Sequence, residues 1–166
     1  MPGEKMPKRE EIPVKTRKGV VSIPERLKVF NKEEYFAVLA TDDRGKPYTS
    51  LVSYAFTPDM KVIIFVTPRN TRKYKNIIRS SYVSLLIDNR SKKQKNLLAT
   101  EAITVIGIGK PVRKGKRWNE LAAIFLVKHP DLEEFFNSAT TALIAVDVTQ
   151  CVHVSSFQSV SIWDGE

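Results

Sequence analysis

The sequence predicts a mainly β (α+β) domain, a small closed antiparallel barrel with two to three helices packed on its outside. Three observations carry this. Six or seven apolar, β-prone runs recur along the chain, separated by turn-forming residues. Helical spacing of apolar residues replaces strand-like runs in only a few segments. Short strands in this number close most simply on themselves, which removes exposed edges. Hydrophobic residues make up 42% of the 166, enough for the core of one domain.

Residues 1–22 mix Lys, Arg, Glu and Pro with little apolar content and read as a loosely docked tail, which leaves 23–166 for the domain. Pro24 and Glu25, followed by Leu27, Val29 and Phe30, fit a short helix with proline in its first turn. Tyr35 to Thr41 is apolar and β-prone. Asp42-Asp43-Arg44-Gly45 is a turn signal, and Pro47 to Phe56 resumes as a strand. Pro58-Asp59 turns the chain again into Val62 to Thr67, which completes an antiparallel meander. From Asn70 to Ser80 the period changes: Tyr74, Ile77 and Ile78 fall at helical spacing. Val83 to Ile87 is a further strand, and Arg90 to Asn96 a basic loop. Ala102 to Val112 is a long strand in which Gly107 and Gly109 mark a bulge or bend. Trp118 to Val127 is a helix, and Leu132 to Phe136 adds a helical turn. Ala142 to Val154 and Val160 to Trp163 supply the closing strands.

Composition narrows the function classes. No apolar run approaches the roughly 20 residues of a membrane helix. No apolar stretch follows the N-terminal charges, so no secretory signal is expected. The single cysteine, Cys151, forms no internal disulfide and suits a reducing cytoplasm. One cysteine and two histidines make a poor set for structural zinc. The net charge of +9, from 27 basic and 18 acidic side chains, suits nucleic acid, an acidic surface or phosphorylated small molecules. The tail lacks the interleaved aromatic residues of a nucleic-acid binder. His153 is a candidate acid or base, but a lone histidine in a strand is more often structural.

The most informative segment follows the third strand. That strand ends in the Thr67 hydroxyl, Pro68 to Asn70 turn the chain, and Thr71 opens a helix with Arg72 and Lys73 in its first turn. A helix N-terminus carries unpaired N–H groups and a partial positive charge. Acidic residues normally sit there; two cations oppose the helix dipole. A bound phosphate would resolve the conflict, with Arg72 as a fork and Lys73 as a point charge. The spacing alone also fits an ordinary capped helix whose cations point to water.

A longer resemblance favours the phosphate reading. The stretch Phe36 to Asn89 resembles the pyridoxamine 5′-phosphate oxidase-like flavoproteins, the FMN-binding split-barrel superfamily. The resemblance is carried by Ala40-Thr41, Gly45-Lys46-Pro47-Tyr48, Ser50-Leu51-Val52, Phe65-Val66-Thr67, Thr71-Arg72-Lys73 and Val83-Ser84-Leu85-Leu86, in order and at matching spacing. Ile103 to Gly107 is similar to a later family strand. The resemblance implies an antiparallel split β-barrel with two to three flanking helices. It implies that Val66 and Thr67 touch the ribityl chain and phosphate of FMN, with Thr71, Arg72 and Lys73 at the phosphate. It implies that Ser50, Leu51, Val52 and Ser53 run beside the isoalloxazine ring, and that a homodimer holds two FMN molecules between its subunits. Trp163 is expected near the partner's flavin or in the core.

The departures shape the expected activity. The oxidase of that family has an arginine at the place of Ser50, a lysine near Ala55, a tryptophan near Asn89 and a glutamine near Ala102. It also has a C-terminal Arg and His cluster, whereas Trp163 is followed here by Asp164-Gly165-Glu166. The expectation is an FMN-dependent oxidoreductase acting on another small molecule, with no dedicated catalytic side chain. Two rivals stand beside it: a deazaflavin-dependent reductase on the same fold, and a non-enzymatic basic module for nucleic acid.

Overall fold

A computed structural model of the protein describes residues 22–93, 96–156 and 159–165. The expected tail lies outside these residues except for Ser22. The Ser22 hydroxyl caps helix α1 (Ile23–Glu33) by accepting from the Glu25 amide, and proline occupies the first turn as the sequence predicts.

Strands β1 (Phe36–Asp43) and β2 (Lys46–Phe56) form a tight hairpin. Arg44 and Gly45 both take positive φ, 55° and 82°, and Asp42 Oδ1 accepts from the Gly45 amide at 2.8 Å. Such mirror-image turns match the twist of the flanking strands. Then follow β3 (Val62–Pro68), α2 (Arg72–Arg79), β4 (Tyr82–Asp88), β5 (Ala102–Pro111), α3 (Lys116–Lys128), α4 (Glu133–Asn137), β6 (Thr141–Ser155) and β7 (Ser159–Asp164). Four α-helices form among the described residues, against two to three expected. The helical turn expected at Leu132 to Phe136 is a short 3-10 turn that runs on into α4.

The strands lie in the order β3-β2-β1-β4-β5-β6, and pairing of β3 with β6 closes the barrel. The length of β6 explains the remaining strand: Thr141–Asp147 pairs with β3, and Gln150–Ser155 pairs with β7. The β5–β6 register shifts between Ile106 and Gly107, the bulge that the glycines predict. A Cβ on Gly107 would sit 2.4 Å from the Asp147 carbonyl oxygen, so only glycine lets the two strands approach there.

Two cores result. Inward residues of every barrel strand, such as Leu39, Tyr54, Phe65, Leu85, Val105 and Ile144, meet Leu27 and Phe30 of α1 and Ile77 of α2. Outside the barrel, Ala55, Ile64, Leu143 and Ala145 pack under Leu121 and Phe125 of α3 and Phe136 of α4. The alternation along β2 and β3 thus serves two cores, one per face. Full burial of a side chain such as Phe125 contributes about 1.5–3 kcal/mol.

Candidate functional site

The site begins where two strands part. β2 and β3 pair only at Tyr54–Phe65, Ala55–Ile64 and Phe56–Ile63. Beyond Tyr54, the segment Lys46–Ser53 pairs with β1 alone; beyond Phe65, Val66–Pro68 pairs with β6 alone. The result is a wedge with an unpaired edge of β2 on one side and the end of β3 on the other. Backbone polar groups along such an edge need partners.

Register fixes which side chains face the wedge's inner side. Ser50 lies opposite Leu39 and Val52 opposite Ala37, both fully inward positions; Leu51 and Ser53 lie opposite Val38 and Phe36 on the outer face. The Ser50 Oγ is buried and has no hydrogen-bond partner among the described residues. A buried hydroxyl without a partner costs about 1–3 kcal/mol, and a ligand group in the wedge would relieve that cost.

Thr67 ends the other wall and is 1% exposed. Its Oγ1 lies 2.8 Å from Thr71 Oγ1. Thr71 donates its own proton to the Pro68 carbonyl at 2.8 Å and accepts the Tyr74 amide at 3.4 Å, so Thr67 is the donor in the hydroxyl pair. Thr71 is the N-cap of α2, in extended backbone, and the first turn contains no acidic residue. The amides of Arg72 and Lys73 find no acceptor among the described residues.

Arg72 is engaged within the chain. Its Nε and Nη2 donate to Asp43 Oδ2 at 2.8 and 2.5 Å, and its guanidinium lies 4.6 Å from the centre of the Tyr48 ring. Arg79 donates to the other Asp43 oxygen at 2.9 Å and to Asn76 Oδ1 at 2.6 Å. Asn76, fully buried, donates in turn to Thr41 Oγ1 at 3.0 Å. Hydrogen bonds from Arg72, then from Arg79, hold the Asp43 carboxyl below its ordinary range. Two guanidiniums against one carboxylate leave the end of α2 positive. Lys73 makes no ion pair among the described residues, and it lies at the barrel-facing end of the helix, beside Ile77.

The structure thus places Ser50 and Val52 on the inner side of the unpaired β2 segment, with Leu51 and Ser53 on its outer face, and puts Thr71, Arg72 and Lys73 at the start of α2, directly after Thr67 and the end of β3. Val66 differs: its side chain packs on the outer core, so only its backbone borders the wedge. Trp163 is not at this opening within one chain. It pairs with Cys151 and packs against the barrel core, while Thr67 pairs with Ala142; nine residues of β6 separate the two, about 30 Å. Sequence reasoning missed Asp43, Tyr48, Asn76 and Arg79. Asp43 was absorbed into a turn signal, and its partners are 29 and 36 residues away.

The other candidates are engaged elsewhere. His153 is buried, with Nε2 3.2 Å from Glu101 Oε2, an oxygen that also accepts from Arg26. His129 Nε2 lies 2.7 Å from the Tyr54 carbonyl oxygen, and burial lowers its pKa. Burial pushes the Cys151 thiol up to about 12, which makes it an inert filler.

Residues 23–154 match the family model of pyridoxamine 5′-phosphate oxidase. No protein with a curated description matches the chain in sequence. Among solved structures, a heme binding protein from Mycobacterium smegmatis superposes with a TM-score of 0.74 at 16% identity, over 88% of this chain and 60% of that one. The chain thus spans less than two thirds of that protein's length. The heme storage protein HutZ from Vibrio cholerae gives 0.66 at 18% identity, over 77% of this chain and 91% of that one. A FAD-binding protein from Mesorhizobium loti gives 0.64 at 14% identity, over 80% and 94%. At such identities the likeness is one of fold. The family match runs from α1 almost to the end of β6 and takes in the whole wedge; the chain belongs to the pyridoxamine 5′-phosphate oxidase family.

Proposed function

We propose that the protein is a homodimeric flavoprotein that grips the phosphate of FMN at the first turn of α2 and transfers electrons or hydride to a small molecule. The observation that carries this reading is the cationic, acid-free first turn of α2 at the mouth of the β2–β3 wedge. The buried Ser50 hydroxyl without a partner gives the wedge a donor set that fits a flavin's polar edge. When bound, the flavin supplies the redox chemistry.

The chain's own residues bind, orient and shield. The free amides of Arg72 and Lys73 and the helix dipole attract the phosphate dianion. Asp43 and Tyr48 hold the Arg72 guanidinium in one plane, so little side-chain entropy is lost when its remaining donors meet the phosphate. Lys73 adds a point charge. The unpaired edge of Ser50–Ser53 offers backbone N–H and C=O groups to the ring. Both histidines are committed to other partners, so no side chain is assigned as a proton donor or acceptor in the reaction. Ser50 and Ala55 stand where the family's oxidase carries Arg and Lys, so pyridoxamine phosphate is not the proposed substrate. The buried, unpaired Cys151 suits a reducing cytoplasm.

Two of the structural relatives bind or store heme. The two histidines favour flavin, since both rings are buried and each has its Nε2 held by a partner within the fold. The test is titration of the purified chain with FMN, riboflavin and hemin, followed by fluorescence and absorbance. Saturable quenching of FMN fluorescence is expected. Arg72→Ala or Lys73→Ala should weaken FMN by about 1.5–3 kcal/mol and leave riboflavin unchanged. Uptake of hemin with no FMN binding, or salt-sensitive RNA binding without flavin affinity, would overturn the reading.

A further inference from the structure

Three segments, 44–46, 69–79 and 110–117, together carry twelve Lys and Arg and no Asp or Glu. The fold gathers them at one end of the barrel. Asp43, at the base of the β1–β2 turn, holds Arg72 and Arg79 and so fixes the turn against α2. The Gly109 amide donates to the Ser81 carbonyl, just past α2, at 2.7 Å, and the Val112 amide donates to the Leu143 carbonyl at 2.9 Å. The end of β5 therefore lies between the exit of α2 and the start of β6. On its other side the start of β6 pairs with the end of β3, Thr141 opposite Pro68, and Arg69 Nη1 donates to the Ala139 carbonyl at 2.9 Å. Charge at this end is unbalanced. Among the described residues, the acids that bond to these segments are Asp42, Asp43 and Asp147, and only Arg72, Arg79 and Arg117 of the twelve cations make an ion pair. Around the other end, Arg26, Arg90 and Lys92 each meet a carboxylate. A surface built only for solubility mixes the two signs, whereas a field of one sign draws a partner of the other.

The neighbouring side chains select the partner. Single-stranded nucleic acid needs open aromatic rings for its bases. Here cations lie over the rings: Lys114 Nζ is 4.0 Å from the centre of the Trp118 ring, and the Arg72 guanidinium covers Tyr48. A duplex presents phosphates and has no use for apolar side chains among the cations. Yet Ile78, on α2, and Tyr82, just past it, are both more than half exposed. Ile78 and Tyr74 line a concavity of about 390 Å³ together with Arg44, Lys75 and Arg79. A cationic helix face with apolar side chains set in it suits the interface of an acidic bilayer. The cations meet headgroups there, and isoleucine and tyrosine reach the acyl boundary.

We propose that this end of the barrel docks on the surface of an anionic phospholipid bilayer. The segment 110–117, Arg44 and Lys75 face the headgroups, and Ile78 and Tyr82 enter the interface. The inference goes beyond the flavin reading and does not depend on it: Arg72 and Lys73 are left to the flavin phosphate.

The experiment is co-sedimentation of the full chain with vesicles of phosphatidylcholine alone and of phosphatidylcholine mixed with phosphatidylserine. The wild type is compared with an Arg113→Gln, Lys114→Gln, Lys116→Gln, Arg117→Gln variant and with an Ile78→Ser, Tyr82→Ser variant. All six side chains lie outside the phosphate grip, and thermal melts check that both variants fold. The wild type is expected to sediment with the acidic vesicles alone and to be released by high salt. Each basic side chain near an acidic surface contributes about fivefold, so the charge variant should lose at least about a hundredfold in partition. The apolar variant should lose at least about threefold. Equal binding to both kinds of vesicle, or binding to neither, overturns the proposal. So does partition that either folded variant leaves unchanged. A DNA duplex bound more tightly than the acidic vesicles makes the partner nucleic acid and overturns it too.

Discussion

Asp43 holds two arginines from α2 at once, and that arrangement decides how a phosphate would be received. The carboxylate uses two of the Arg72 donors and leaves the rest of the guanidinium directed outward over Tyr48. A lysine at position 72 cannot serve a carboxylate and a phosphate with the same planar fork. Arg72→Lys is therefore expected to weaken FMN about tenfold despite keeping the charge, with riboflavin as the control. The pairing also fixes an acid response. The Asp43 carboxyl is held below its ordinary 3.8, so its contribution to stability is present above that value and is lost as pH falls through the lower, folded value. The urea midpoint gap between wild type and Asp43→Asn should be constant above pH about 5 and close as pH drops below 3.8. A gap that widened in acid would contradict the pairing.

Lys128 shows the opposite sign. Its amine donates to the Glu34 carbonyl at 2.8 Å and to Asn31 Oδ1 at 3.3 Å, and lies 3.8 Å from the centre of the Tyr54 ring. These contacts and the Glu34 carboxylate favour the cation, yet burial outweighs them and lowers the amine to about 7. For a lysine lowered on folding, the cost is complete below the folded value and is relieved as pH rises toward the ordinary 10.5. The wild type should gain stability relative to Lys128→Met as pH rises from about 7 to 10.5, whatever the gap at neutrality. Thermal melts of the two proteins across that range give the answer. A gap independent of pH would show that the amine remains charged throughout.

At the scale of elements, the bulge in β5 offers a contrast between two glycines two residues apart. A Cβ at Gly107 would meet the Asp147 carbonyl oxygen at 2.4 Å and Val146 Cγ1 at 2.7 Å; at Gly109 the nearest atoms are 3.5 Å away, an ordinary contact. Gly107→Ala is expected to cost about 1–3 kcal/mol in urea unfolding, since backbone must move, and Gly109→Ala well under half of that. Equal costs would mean that the strands can slide apart at the bulge. Elements of this kind are legible in sequence because their signals are local. Glycines mark the bulge, Asp-Arg-Gly marks the hairpin, and the change of period marks α2. The wedge was not legible. It depends on β2 leaving β3 after only three paired residues and on β3 finding β6, some 80 residues away. Nor was the Asp43 clamp, which joins a hairpin end to two turns of a helix beyond the next strand. The sequence showed which residues carry the charge at α2, and the fold decided which of them are already paired.

At the scale of the whole molecule, one face of the barrel exposes a row of mostly apolar side chains. Register lines up Leu51, Val38, Leu86, Thr104, Val152 and Ile162 in one row across six strands, all on the side opposite the barrel core. Leu51 is 64% exposed, Ile162 53% and Leu86 37%, with Phe36 beside them at 57%. A contiguous apolar sheet face of this kind is uncommon on a monomer and typical of a subunit interface. It borders the site, because Leu51 belongs to the same strand segment as Ser50, whose edge walls the wedge. A second copy laid on this face would close the wedge from the outside and give a flat ring its second wall. Light scattering should return twice the chain mass for the wild type, and a single chain mass for a Leu86→Asp, Ile162→Asp variant. Both changes leave the α2 grip untouched. If the second wall comes from the partner, the monomeric variant loses affinity for riboflavin and FMN alike, whereas Arg72→Ala affects FMN alone. The two patterns separate a ring wall from a phosphate grip. A variant that became monomeric yet kept its riboflavin affinity would confine the whole flavin site to one subunit.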